Sequence, residues 1–235
     1  MNSFHLSERL QAVASFVPQN SRLADIGSDH AYLPIHLVQE HLISFAIAGE
    51  VAKGGPLANA AHEIQQAGLS NQILPRLADG LAAVNLDDHV DAITIAGMGG
   101  TLITKILTSG KAKLMEKPLL ILQPNVNEDL VRTWLMNNGY RIKAETILHD
   151  LGHTYEIIVG EAVEQPVHYS DLEVKFGPFL MQEVNLAFRN KWQQRLDTLA
   201  KIKVNLQRAS HLDDAKLLAV EQEIKMINEV LDDES

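Results

Sequence analysis

The stretch LADIGSDHAYLPIHL, residues 23–37, decides the fold. Leu23 to Ile26 suit the inside of a buried strand. Gly27 follows at once, then the polar triplet Ser28-Asp29-His30, and apolar residues return at helical spacing from Tyr32 to Leu37. A strand that ends in a tight turn and opens a helix is the first unit of a parallel α/β sheet. The turn is unusual in its charge. Asp25 lies in the strand end, Asp29 lies just past it, and Gly27 is the one glycine between them. A dinucleotide site would place Gly-x-Gly-x-x-Gly here, so that backbone amides approach a pyrophosphate. A carboxylate in place of the second glycine repels phosphate, so the turn suits a ligand that is neutral or cationic where it meets the chain.

The alternation continues outward from this turn. Further β-rich runs cover 45–49, 73–77, 90–96, 119–122, 140–148 and 155–161, beside the first at 22–26. Helical patterns fall near 31–41, 55–68, 79–85, 100–110 and 127–138, the last stopped by Gly139. A short amphipathic helix over 6–17 leads into the first strand. Alternating strands and helices imply parallel strands joined by right-handed crossovers, with helices on both faces. Only His149-Asp-Leu-Gly-His-Thr separates the last two runs, which suits an antiparallel pair. The sequence therefore predicts a mostly parallel α/β sheet with an antiparallel edge strand over 1–165. After the punctuation at Gln165-Pro166 and Gly177-Pro178 the strand pattern ends. Val184, Phe188, Trp192, Leu196, Leu199, Ile202 and Leu206 recur at steps of three and four, and so do Leu217, Val220, Ile224, Ile227 and Leu231. With His211-Leu-Asp-Asp between the runs, this predicts a C-terminal antiparallel helical hairpin, coiled-coil-like, over 170–235.

Composition narrows the chemistry. The 235 residues include no cysteine, which excludes disulfides, thiolate metal sites and a cysteine nucleophile. The first residues have neither the basic nor the apolar part of a signal peptide, and no apolar run approaches membrane-spanning length. A cytoplasmic protein is the expectation. His149 and His153 are four apart, but Gly152 makes that stretch a turn, so no metal site is expected.

The other strand ends agree with the first. The second ends in AIAGE, placing Glu50 about 25 residues after the turn, with Val51 next; a carboxylate there accepts both hydroxyls of a ribose. The third is followed by Asp79, Gly80 and Leu81. Asp79 suits an adenine amino group or, alternatively, a helix N-cap. The fourth runs into IAGMGG, where Ala96, Gly97 and Met98 leave mostly backbone against whatever lies there. Asp25, Gly27, Ser28 and His30 complete the set. Acids at successive strand ends, with no phosphate cradle, point to S-adenosylmethionine, whose sulfonium and ammonium are positive.

These residues also carry a resemblance. DIGSDHAYLP, AGE, LADGL, ITIAGMGG, ILQPN, YEIIV and KFGPFL together resemble the bacterial tRNA (adenine-22)-N1-methyltransferases, the TrmK family, over nearly the whole chain. The resemblance implies a Rossmann-like methyltransferase domain, S-adenosylmethionine as donor, tRNA as substrate, and methylation at N1 of an adenine in the D-arm region. N1 has its own lone pair, so attack on the methyl needs no strong base; alignment and exclusion of water are the main tasks. N1 also lies on the pairing edge, so the base must be unpaired or flipped out. Candidates beside the methyl are Gln123, Pro124 and Asn125, which are otherwise simply a turn. Asn125 and the Pro124 carbonyl suit a purine edge, and the proline ring its face. Asp29 is the best-placed carboxylate, or else an N-cap. Tyr32 and Tyr155 suit stacking on the base, with ring packing the alternative for Tyr155. Glu156 faces either the pocket or solvent, and periodicity does not decide which.

Net charge of −10 sits oddly with an RNA substrate. It conceals a reversal. Arg189, Lys191, Arg195, Lys201, Lys203 and Arg208 face Asp197 alone over 185–208, a net of +5, whereas 209–235 carries −6. The basic arm is a candidate tRNA-binding surface, with Lys53, Arg76, Lys105 and Arg132 as further candidates near the cleft. Alternatively, the two arms attract each other. A methyltransferase of a small molecule or protein would leave the basic arm idle, and a non-catalytic adaptor would not need LQPN. Oligomeric state is left open by the sequence.

Overall fold

The computed structural model describes residues 6–51, 55–208 and 213–232. Helix α1 (Glu8–Ser15) is capped by the Ser7 hydroxyl, which accepts from Leu10 N. The sheet then follows: β1 (Arg22–Ile26), α2 (Tyr32–Gln39), β2 (Phe45–Glu50), α3 (Gly55–Gln66), β3 (Ile73–Leu77), β4 (Ala92–Met98), α4 (Gly100–Ser109), β5 (Leu119–Pro124), α5 (Glu128–Asn137), β6 (Tyr140–Asp150) and β7 (His153–Ala162). Where the sequence predicts a helix over 79–85, the chain makes two short 3-10 turns, Gly80–Ala83 and Leu86–Asp88.

The seven strands are ordered β3-β2-β1-β4-β5-β7-β6, a Rossmann-like sheet. β1 to β5 are parallel, and β7 enters antiparallel between β5 and β6. The β6–β7 hairpin turns on Leu151 and Gly152, both with positive φ, the pairing that matches strand twist in a two-residue turn. Strand order reverses between β1 and β4, so a crevice opens outside their carboxyl ends.

Side-chain alternation builds two cores. Ala24, Ile26, Ile93, Ile95, Leu120 and Leu122 face α4 and α5, which contribute Ile103, Leu107, Val131 and Leu135. Leu23, Ala92 and Ile121 face α1, α2 and α3, which contribute Val13, Leu33, Leu37 and Ile64. Both faces of the strands are covered, as a parallel sheet requires.

A third core lies under the C-terminal helices α6 (Asp171–Phe176), α7 (Leu180–Glu183), α8 (Leu186–Arg208) and α9 (Asp214–Asp232). The two short helices occupy the stretch that the sequence marks only as punctuation, although Ser170 and Glu173 form a capping box there. Helices α8 and α9 pack through Leu199, Val220, Ile227 and Val230, and Arg195–Glu223 and Lys203–Glu221 pairs cross between them. Part of the expected connection, including His211, lies outside the described residues.

This unit is not hung from a linker. Ile147 of β6 belongs to its core. Beneath it, Arg132 of α5 is fully buried and donates to Glu145 of β6 (2.7 Å) and Glu156 of β7 (2.5 Å). Its remaining donors reach the carbonyls of Val174 and Lys175 in α6. Lys191 of α8 bonds Glu156 (2.7 Å) and Glu128 (2.5 Å). Burial works to raise the Glu156 carboxyl, but Arg132 and Lys191 hold it below the usual range. Glu145, with Arg132 as its ion-pair partner, is pushed up by burial. Three expectations from the sequence are thereby corrected. Glu156 lies in this buried network and not in the cleft, and neither Arg132 nor Lys191 presents its charge to a nucleic acid.

Removing one partner from such a network leaves buried charge uncompensated. Arg132→Met should lower stability by about 3–5 kcal/mol, measured by urea unfolding. A drop smaller than about 1 kcal/mol would show that the network contributes little.

Candidate active site

The crevice between β1 and β4 is braced by Asp25. Its carboxylate accepts from Ser28 Oγ (2.5 Å) in the turn and from Thr94 Oγ1 (2.6 Å) in β4. Burial raises its pKa, Glu50 adds to that, and the two hydroxyls and Arg9 oppose it. The backbone beyond is strained. Gly27, Asp29, His30 and Ala31 all have positive φ, and three of these four are not glycine. Each such residue costs about 1–2 kcal/mol, and strain of this kind collects at functional sites. Ala31, not Asp29, occupies the N-cap of α2, and no side chain caps that helix. The Asp29 carboxylate is therefore released, and its side chain is 78% exposed.

Glu50, 6% exposed at the end of β2, holds this turn from the other side. Its Oε1 accepts from Asp29 N at 2.5 Å. Val51 beside it is exposed. The His30 ring stacks on Tyr32 with centroids 5.1 Å apart, and His30 Nδ1 is buried with no partner among the described residues. The Met98 methyl covers Gly27 so closely that a Cβ there would lie 2.1 Å from it.

Beyond β3, Asp79 occupies the N-cap position of its 3-10 turn but makes no side-chain cap bond. It lines a cavity of about 370 Å³ with Gly80, Leu102 and Lys105. Gly80 has φ +54, and a Cβ there would meet Ile106 at 2.9 Å. Leu81 is 1% exposed and belongs mainly to the core, where its side chain packs against Gly110. Arg76 is engaged by Asp88 and the Ala83 carbonyl, which corrects its assignment to phosphate, and Lys53 lies outside the described residues.

The reaction-centre candidates sit across the crevice at β4 and β5. Ladder register shifts between Ala96 and Met98, leaving Gly97 bulged with φ +77. Gln123 is fully buried and uses both ends of its amide. Its Oε1 accepts from Gly97 N (3.0 Å) and Arg9 Nη1 (2.7 Å), and its Nε2 donates to the Pro124 carbonyl (3.0 Å) and Asn125 Oδ1 (3.1 Å). Asn125 Nδ2 donates to the Gly97 carbonyl at 2.9 Å. Asn125 is exposed, whereas Pro124 is buried within β5. The proline ring is thus no platform for a base, and Gln123 positions Asn125 instead of meeting substrate itself. Asn125 also edges a groove of about 720 Å³ that continues past Glu128, His153 and Trp192. Sequence reasoning missed Arg9, because an arginine on a short amphipathic helix carries no signal of where it points. Among the described residues no cluster of three His, Asp or Glu is placed to hold a metal ion.

Comparison with known proteins fits this geometry. The family model described as tRNA (adenine(22)-N(1))-methyltransferase, TrmK, matches residues 23–229. The chain belongs to this family. It is 40% identical to the tRNA (adenine(22)-N(1))-methyltransferase of Bacillus subtilis strain 168, covering 99% of each chain. A Streptococcus pneumoniae structure in complex with S-adenosyl-L-methionine superposes with a TM-score of 0.88 at 45% identity, over 97% of this chain and 100% of that one. The M. capricolum TrmK structure, in complex with S-adenosyl-homocysteine, gives 0.85 at 30% identity, over 97% and 98%. The TrmK match spans the crevice, the bulge and most of the helical hairpin alike.

Asp25→Ala leaves the Ser28 and Thr94 hydroxyls buried without their acceptor, which should cost about 2 kcal/mol. Adding Thr94→Val should recover part of that stability, because no orphaned hydroxyl then remains on β4. Equal denaturant midpoints for the single and double variants would disprove the brace.

Proposed function

We propose that this chain transfers a methyl group from S-adenosylmethionine to N1 of adenine 22 in tRNA. The observation that carries the reading is an acidic, phosphate-excluding rim set directly against an exposed, pre-oriented Asn125.

The rim fits such a donor. Glu50 keeps its second oxygen free of any partner among the described residues, and His30 Nδ1 is an orphaned buried atom in the turn. Gly27, Gly80 and Gly97 leave backbone where side chains would otherwise intrude. Asp25, Gly27, Ser28, His30, Glu50, Val51, Asp79, Gly80, Ala96, Gly97 and Met98 are the residues assigned to hold it. When bound, the donor supplies a methyl group activated by sulfonium charge.

The chain's own residues do the rest. Asn125 has one amide N–H on Gly97 and its carbonyl on Gln123, so a second N–H and a second lone pair remain to read an adenine edge. Because both ends are tethered, little rotamer freedom is lost on binding. The exposed Asp29 carboxylate is available to offset charge that develops on the methylated ring. The His30–Tyr32 stack is assigned to one wall of the base site. The base must leave its helix to reach Asn125.

For tRNA docking the hairpin remains the candidate, on fewer residues. Arg195 and Lys203 are engaged by Glu223 and Glu221, so part of the arm's charge serves the hairpin itself. Lys201 and Arg208 lie exposed on α8 with no ion pair among the described residues. Arg189, half-buried, lies nearer the base of the same helix.

Incubation with labelled methyl donor and unmodified tRNA, followed by nucleoside analysis, tests the reading. Label in 1-methyladenosine supports it, and label in any other nucleoside, or none, rejects it. Asn125→Ala should leave donor affinity within about twofold while slowing methyl transfer about 10–100-fold, the scale expected when alignment is impaired. Single-turnover rates and calorimetry separate the two. Lys201→Glu with Arg208→Glu should weaken tRNA binding and flatten its salt dependence, by roughly 0.7–0.9 in log–log slope for each phosphate no longer neutralised. An unchanged slope would remove this face from the docking surface.

A further inference from the structure

The cleft holds an arginine, Arg9, that no sequence motif marks. It is carried by α1, on the opposite side of the cleft from the hairpin, and three interactions fix it. Its backbone N–H donates to Asp150 Oδ2 at the end of β6 (3.1 Å). Its Nη1 donates to Gln123 Oε1 (2.7 Å). Its guanidinium lies 5.4 Å from the centre of the Tyr155 ring on β7. It passes directly over the bulge, since a Cβ on Gly97 would lie 3.6 Å from Nη1.

What it lacks is a carboxylate. Among the described residues no Asp or Glu forms an ion pair with the Arg9 side chain, in a chain of net charge −10. Nε and Nη2 have no hydrogen-bond acceptor among those residues. An arginine held rigidly with two of its three nitrogens unused is preorganised for a planar anion. Its place selects which anion. It sits at the rim between Gln123 and the β1 turn, close enough to Asp25 to draw that carboxyl downward. A cation and an anion side by side match a zwitterion, whose ammonium and carboxylate are one carbon apart. A phosphodiester offers no positive partner for Asp25.

Resting on the donor assignment above, we propose that Arg9 binds the α-carboxylate of the methyl donor's amino-acid moiety, while Asp25 supplies the facing negative charge. Arg9 thus joins donor binding to the reaction centre, because the same guanidinium holds the Gln123 amide that orients Asn125.

The test compares S-adenosylmethionine and S-adenosylhomocysteine with decarboxylated S-adenosylmethionine, which lacks only the carboxylate at that end, by calorimetry on the full chain. Wild type should bind the decarboxylated compound at least about 10-fold more weakly than S-adenosylmethionine, its matched control, the scale of one charge-assisted hydrogen bond. Arg9→Ala should weaken binding at least about 10-fold for both carboxylate ligands and less than about twofold for the decarboxylated one. Arg9→Lys should show an intermediate effect confined to the carboxylate ligands, and it decides the matter if the alanine variant does not fold. Equal weakening for all three ligands in either variant would overturn the carboxylate assignment. Wild type that binds none of them would instead overturn the donor reading itself.

Discussion

The bulge at Gly97 is the constraint on which the reaction centre depends. In a regular parallel ladder the N–H and C=O of this residue would be consumed by a neighbouring strand. The register shift between Ala96 and Met98 releases both. Gly97 N then donates to Gln123, and the Gly97 carbonyl accepts from Asn125. The next carbonyl along, that of Met98, accepts from Asn125 N at 2.7 Å. One backbone irregularity thus fixes a buried amide, an exposed amide and, through Gln123, the guanidinium of Arg9. Bulges serve this purpose generally, re-aiming side chains at the end of a strand. With φ +77, the position strongly favours glycine, since a Cβ in the left-handed region is strained whatever space surrounds it.

The distribution of charge follows from the same division of labour. Acids are concentrated around the crevice, where Asp25 and Glu50 hold the β1 turn and Asp29 is left exposed. Cations near the sheet are mostly committed. Arg132 and Lys191 neutralise three glutamates beneath the hairpin, and Arg76 is held by Asp88. Net charge therefore says little about affinity for a polyanion. What matters is which positive groups remain unpaired and where they lie. Lys201 and Arg208 lie far out along α8, and Arg9 lies in the cleft.

Much of this is legible in the sequence, for identifiable reasons. All seven strands are readable because period-2 and continuous apolar runs are local signals, and so are the long helices, whose apolar residues recur every three or four positions. The acids of the rim are readable because strand ends in a parallel sheet converge on one edge. Long-range contacts are not. Glu156 resembles a pocket residue in sequence because alternation does not say what packs on each face, and its partners lie 24 and 35 residues away. Lys191 has the pattern of a basic arm, although one turn of α8 points it into the catalytic unit. Pro124 has the pattern of a loop, but β5 extends through it. Arg9 reaches Gln123 across 114 residues of chain, and no local pattern foretells such a contact.

The corrected position of Lys191 changes how the two units relate. Its ammonium bridges Glu156 of β7 and Glu128, and Glu128 opens α5 only three residues after Asn125. Burial acts to discharge Lys191, yet the two glutamates hold its pKa above the ordinary lysine value, so the bridge stays charged. Helix α8 and the loop bearing Asn125 are therefore referenced to one another by a short, largely buried ionic contact and not by a flexible joint. For an enzyme whose chemistry needs no strong base, position is the principal resource, and a shift of about 1 Å is enough to slow a reaction about 100-fold. An RNA held on the outer hairpin would be indexed to the reaction centre through that contact. The hairpin is then part of the catalytic geometry, and the sheet and hairpin are poorly described as a catalytic domain with a separable binding arm.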